Sequence, residues 1–425
     1  MAATLGVNID AGKSPEAMCA ARLQRALDAI QLRQPDQIPI SLAFGNSLAD
    51  LEGITRQELA WEPEKAFLAL SHAALRFQPD FAHGGQFSNP AVDQILGNRL
   101  IKWPGYGLRA DQSFQFVEGE YMKAEDYDAF IADPGDWAIR TYLPRACSEL
   151  EGLAMLSHLA VLTSGINSLI SKLAIPQVAS AFQALIKASE AQAEYMQHVM
   201  QTAKRMEALG FPQSPSFGMF AAAPFDYMSD SMRGMRGIFL DLRRCPEKLL
   251  AAEEKVIDIQ LNDCIANCRA MNMTGVMLPL HRGSDGFISI PVFEKFYWPQ
   301  LKKLLLGLID AGLTPTIFWE GCWDQRLQYL AELPKGKTIG MFQSSDIFKV
   351  KQVLGDTMCI SGGMKVSMLG GGATAEEVRA YTKRLCLEVG KGGGFIMSTD
   401  IGSLESCIPE LIEVWVDATR EFGRY

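Results

Sequence analysis

Two hydrophobic rhythms alternate along this chain, and the switches between them mark out its elements. Short unbroken apolar runs ending in glycine or a charged residue read as buried strands. Stretches with apolar residues three or four apart read as amphipathic helices. From residue 217 onward the alternation is regular, with strand runs expected at 217–226, 275–280, 316–319, 337–342, 358–363 and 395–400. Helices are expected between them near 229–242 and over 246–271, 299–312, 374–389 and 409–422. The strand runs lack polar alternation, as strands covered on both faces should. Two earlier runs, 38–45 and 81–85, bring the count to eight. Strand and helix repeated in this way is parallel βαβ construction, which closes naturally as a single (β/α)8 TIM-type barrel; a doubly wound sheet is the alternative.

Ahead of the first strand, residues 1–37 hold one amphipathic segment, 15–32, read as a helical extension laid over a barrel body of 38–425. Residues 86–120, rich in glycine, proline and aromatics, read as an excursion of loops and short strands, such as a cap. Helix returns at 121–133, and 145–210 forms a long helical zone with no glycine stop until Gly210.

Composition narrows the function classes. The 425 residues are 48% hydrophobic and 21% charged, ample for a large core. A net charge of −9 excludes the basic stripes of a nucleic-acid-binding surface. No run of about 18 apolar residues is present, so no membrane span is expected. The first ten residues lack the basic and apolar regions of a secretion signal. Nine cysteines, an odd number without framework spacing, read as reduced thiols of a cytoplasmic protein.

Chemistry-bearing residues gather just after the strand runs, where parallel α/β folds build their sites. The densest stretch is Trp319-Glu320-Gly321-Cys322-Trp323-Asp324. With it go His83, Asp226, His281 with Arg282 and Asp285, Asp346, and Asp400. This mixed nitrogen, oxygen and sulfur set suits zinc. Glu320 and Cys322 would face one way if the strand's two-residue period carried through them. Cys322 as an ordinary buried thiol, and His281–Arg282 as a surface loop pair, are the plainer readings. Glu320, beside tryptophans, needs a partner in either case. His281 can be base, ligand or donor, and Arg282 can grip a carboxylate. His72, His158 and His198 fall in helical zones, and Cys264 and Cys268 sit one helical turn apart as core residues. The glycine clusters at 362–363, 370–372 and 392–394 lack phosphate-loop spacing and read as turns. No Ser/His/Asp elbow is visible.

Met122-Lys123-Ala124-Glu125-Asp126-Tyr127-Asp128, the 283–293 segment, Glu320-Gly321-Cys322, residues 346–363, 372–378 and 393–398 follow one another in an order that resembles the uroporphyrinogen decarboxylase superfamily. The resemblance runs from about residue 38 to the C-terminus and implies a single (β/α)8 barrel. It implies one of two chemistries, a cofactor-free decarboxylation of uroporphyrinogen or methyl transfer to or from a corrinoid with zinc activating a thiol. The transferases of this superfamily, similar to methylcobamide:coenzyme M methyltransferase, carry His-x-Cys where this chain has Glu320-Gly321-Cys322. Their third ligand, a cysteine, falls near Ile401, and the decarboxylases' histidine falls near the same place. An arginine-rich porphyrin motif is missing after Ile40. The resemblance therefore favours a zinc-dependent methyltransferase working with a corrinoid on a partner protein and a small methyl ether or thiol. A homodimer is compatible with it. On that reading Glu320, Cys322, His281 and Asp400 are the metal candidates, and His281, Arg282, Asp226 and Asp346 the catalytic ones.

Overall fold

The computed structural model describes residues 8–84, 88–216 and 218–425. Its frame is a set of parallel strands: β1 (Ser41–Ala43), β2 (Phe81–His83), β3 (Met219–Phe220), β4 (Gly275–Leu280), β5 (Thr314–Trp319), β6 (Ile339–Phe342), β7 (Cys359–Met364) and β8 (Phe395–Thr399). Strands β3 to β8 pair successively in one six-stranded sheet, and β1 pairs with β2. A parallel bridge between Ile40 and Met397 joins the two sets through β1 and β8. The neighbour order is that of a (β/α)8 barrel opened between β2 and β3. Among the described residues no strand pairing closes that gap. The expected runs at 217 and 85 touch Phe217 and Gly85, which lie outside the described residues.

The strands are short and buried on both faces: β6, β7 and β8 are buried at every position. Valine, isoleucine, methionine and aromatic side chains fill the layer between strands and helices, as parallel construction requires. The helices Pro246–Met271, Trp298–Asp310 and Pro409–Phe422 lie within a few residues of where periodicity places them. Each has proline in its first turn, where the missing N–H has no helical partner anyway. The 374–389 expectation is met by Ala375–Arg384, started by a Thr374–Glu377 capping box, continuing as a looser turn over Leu385–Val389.

The N-terminal helix Pro15–Ile30 is pinned to the frame. Buried Arg25 bonds Asp36 at 2.7 Å, pairs with Asp10, and grips Asp80, whose other oxygen accepts the Ile40 N–H at 2.7 Å. One guanidinium thus ties the extension to the entrances of β1 and β2, while Ala29 and Ile30 pack on Ile339, Cys359 and Ile396. The 86–120 excursion carries the helix Pro90–Leu96 and the small strands Ile101–Pro104, Gly107–Leu108 and Gln115–Phe116. The 145–210 zone resolves into 3-10 turns, Asn167–Leu173, and the long helix Pro176–Ala208. Among the described residues no single helix is long and apolar enough to cross a membrane, although the bent pair Asn167–Leu173 and Pro176–Ala208 together has the length and composition.

Candidate active site

The site forms where β3, β4 and β5 end. After β3, Pro224 opens a helical turn that puts Asp226 and Asp230, four residues apart, on one face. Asp226 is fully buried and accepts three bonds: the His281 N–H at 2.8 Å, the Arg282 N–H at 3.1 Å and the Tyr297 hydroxyl at 2.8 Å. Burial first, and then the Asp230 charge, push its carboxyl up to about 6 despite those donors. Asp226 therefore shapes the turn after β4 from below and does not face the mouth.

Asp230 does the work at the surface of the site. Its Oδ2 lies 2.5 Å from His281 Nδ1, while Oδ1 accepts from Ser229 Oγ at 2.8 Å and from Arg282 Nε at 3.1 Å. Burial would raise this carboxyl, but the His281 and Arg282 partners outweigh it and hold it below the ordinary range. His281 Nε2 points the other way, 3.6 Å from Glu320 Oε2. Burial would lower the imidazole, but the Asp230, Asp226 and Glu320 carboxylates hold it above its ordinary value. The imidazole is thus fixed through Nδ1 and turns Nε2 toward Glu320. Arg282 is neutralised by Asp230 at 3.0 Å, approaches Glu118 of the excursion at 4.0 Å, and lies over the Phe287 ring.

The expectation that Glu320 and Cys322 share a face is corrected by one glycine. β5 stops at Trp319, and Gly321 has φ +78°, a backbone turn that ends the two-residue alternation. Glu320 turns to His281. Cys322 turns to Asp285, whose N–H donates to the Cys322 carbonyl at 2.7 Å and whose carboxylate pairs with buried Arg326. Burial and the Asp324 and Asp285 carboxylates push the Cys322 thiol up, against the thiolate a metal needs. The partner that Glu320 required beside the buried Trp319 and Trp323 is His281.

The remaining candidates stand apart. Asp346 caps the helix Ile347–Leu354, accepting the Phe348 N–H at 3.0 Å. Asp400 ends β8, with β6 and β7 between it and β5, and its Oδ1 accepts the Val366 N–H at 3.0 Å. His83 ends β2, and burial pushes it down to about 4. Among the described residues no three His, Cys, Asp or Glu side chains converge as a metal-holding group. The donor set expected for zinc, Glu320, Cys322, His281 and Asp400, does not fit one ion as placed.

Sequence reasoning did not single out Asp230, Tyr297 or Glu118. Asp230 carried a usable signal, its four-residue offset from Asp226 in a helical turn. Tyr297 and Glu118 reach the site only through tertiary packing.

A parallel α/β protein with a buried aspartate, a carboxylate-clamped histidine and a glutamate at the carboxyl ends of adjacent strands has the layout of an enzyme of the barrel type. The family model described as uroporphyrinogen decarboxylase (URO-D) matches residues 160–422, and the chain belongs to that family. Its fold resembles that of a methyltransferase from Methanosarcina mazei, with a TM-score of 0.60 and 13% identity over 94% of this chain and 98% of that one. No curated protein sequence matches it.

Proposed function

We propose that this chain is a methyltransferase that moves a methyl group between a small methyl ether or thiol and a corrinoid carried by a partner protein, with His281 as the acid or base. One observation carries the reading: an imidazole fixed by Asp230, facing Glu320, in a mouth where carboxylates outnumber cations. The carboxylates of a uroporphyrinogen would meet Glu118, Asp230 and Glu320, while Arg282 is already paired. That disfavours the cofactor-free decarboxylase. The fold likeness to a methyltransferase supports the choice.

When a methyl ether loses its methyl group, the carbon–oxygen bond breaks and its electron pair stays on oxygen. His281, whose protonated form Asp230 favours, gives that oxygen the Nε2 proton and leaves a neutral alcohol or phenol. Asp230 keeps the other proton on Nδ1 and fixes the ring's orientation, the role an orienting carboxylate plays beside any catalytic imidazole. In the opposite direction a neutral His281 takes the proton of an incoming thiol. A bound corrinoid supplies the cobalt centre that receives or gives the methyl group. No step passes through zinc.

The test is demethylation of methoxybenzene by the purified chain with free cob(I)alamin, followed by the corrinoid absorbance change. His281→Ala should slow the step by roughly 10²-fold or more, the ordinary worth of a positioned acid. The rate should fall as pH rises through the His281 titration, since the protonated ring is the active form. An unchanged rate in the variant, or CO₂ release from uroporphyrinogen, would replace this reading.

A further inference from the structure

A cavity stands apart from the His281 cluster. About 470 Å³ in volume, it lies between the ends of β1, β2 and β8, marked by Gly45, Gly84 and Ser403, and the long helix Pro176–Ala208. That is the size range of a small-molecule site. The helix contributes one face: Ala191, Glu194, Tyr195, His198, Val199 and Thr202 recur at helical spacing and all line the space. Opposite them stand Trp61, Phe67, Trp103 and Phe114. Everything from Gly45 to Phe114 comes from chain that precedes the family match at residue 160.

The polar groups define what such a wall of rings would accept. Arg56 donates through Nη1 to the Asp111 carbonyl at 2.8 Å and faces Asp50 at 3.6 Å, while its buried Nε has no hydrogen-bond partner among the described residues. Glu405 accepts from Asn46 at 3.0 Å, and burial pushes its carboxyl up, toward the neutral form. The other ionisable lining pair, His198 and Glu194, face each other at 3.9 Å, so each charged side chain of the lining other than Glu405 has an opposite partner within 4 Å. Tyr195 lines the space, and its hydroxyl has no hydrogen-bond partner among the described residues. Burial raises the Tyr195 phenol, which keeps its proton for donation.

We infer that this cavity binds an uncharged aromatic oxygen compound of one or two rings, seated among Trp61, Phe67, Trp103 and Phe114 with its oxygen accepting a hydrogen bond from Tyr195. The inference concerns binding alone and stands without the methyl-transfer reading.

The test is calorimetric titration of the intact chain with methoxybenzene, toluene and cyclohexyl methyl ether, with no corrinoid and no turnover. Methoxybenzene should bind saturably and more tightly than either analogue. Val199 is 42% exposed, so Val199→Trp can fill the cavity without disturbing a core, and it should weaken methoxybenzene binding about tenfold or more. Ile186→Trp, at another exposed position of the same helix outside the cavity lining, should leave it unchanged. Tyr195→Phe should cost methoxybenzene roughly fivefold, the worth of one hydrogen bond, and toluene nothing. Lack of saturable binding, equal affinity for the cyclohexyl ether, or an unaffected Val199→Trp would each overturn the inference. Binding intact with demethylation absent would instead count against the methyl-transfer reading.

Discussion

The reading of the site turns on whether Asp230 sets the protonation of His281, and Asp230→Asn tests that contact. The pair is a charge-assisted bond at 2.5 Å with the imidazole 40% and the carboxylate 26% exposed. In a buried setting such a bond contributes about 1.5–3 kcal/mol; solvent screening at this half-open position brings it nearer ~1 kcal/mol. Burial alone would lower the ring, so without Asp230 the titration should move down, opposed only by Asp226 and Glu320. The assay is the pH dependence of the imidazole C–H resonances. Five histidines are present, and His281→Gln identifies the signal. The sign for stability follows. A histidine held above its ordinary value stabilises the fold fully below that value and loses the contribution as pH rises through the raised one. Wild type should therefore lose about 1 kcal/mol just above the ordinary histidine range, and Asp230→Asn should flatten that slope. A variant whose His281 titrates at or above the wild-type position would refute the reasoning.

Four further outcomes follow from other contacts. Arg25→Leu leaves Asp80, 3% exposed, as a buried charge without its main partner, and should destabilise the chain by about 3–5 kcal/mol in urea unfolding; a loss under 1 kcal/mol would mean the extension is not pinned as described. Glu253 is fully buried with no hydrogen-bond partner for either oxygen among the described residues, and burial raises its carboxyl well above the ordinary range. Its ionisation is suppressed in the fold but not in the unfolded chain, so wild-type stability should fall as pH rises above about 4.3; Glu253→Met should lose that slope and gain roughly 1–3 kcal/mol at neutral pH, and a midpoint at or below wild type would count against it. At Gly321 an added Cβ would lie 2.9 Å from the Ser284 Cβ, with φ at +78°, so Gly321→Ala should lower the melting temperature through about 1–2 kcal/mol of strain, whereas Gly286→Ala, with open space, should not. Zinc content measured by elemental analysis should be the same in wild type and Cys322→Ala; zinc lost specifically in the variant would restore a metal role for this thiol.

Periodicity alone placed nearly every helix and strand of the second half of the chain, because strands buried on both faces must be continuously apolar and amphipathic helices must repeat every three to four residues. Pro246–Met271, Gly275–Leu280 and Pro409–Phe422 are found at the positions the pattern assigns. Sequence also led to the right end of the frame, since residues at the carboxyl ends of β3, β4 and β5 do meet there. The partners within that neighbourhood were a tertiary matter. The two-residue rule that joined Glu320 to Cys322 holds only while the backbone stays extended, and Gly321 turns it. Asp346 looked like a free strand-end acid because a helix cap and a catalytic carboxylate have the same local sequence; only the Phe348 N–H distinguishes them. Asp230, Tyr297 and Glu118 converge on the site from separate segments, and long-range convergence leaves no mark on any one stretch of chain. The aromatic cavity is the same case, one face a stripe along one helix and the facing rings, Trp61, Phe67, Trp103 and Phe114, drawn from several earlier segments and brought together by packing.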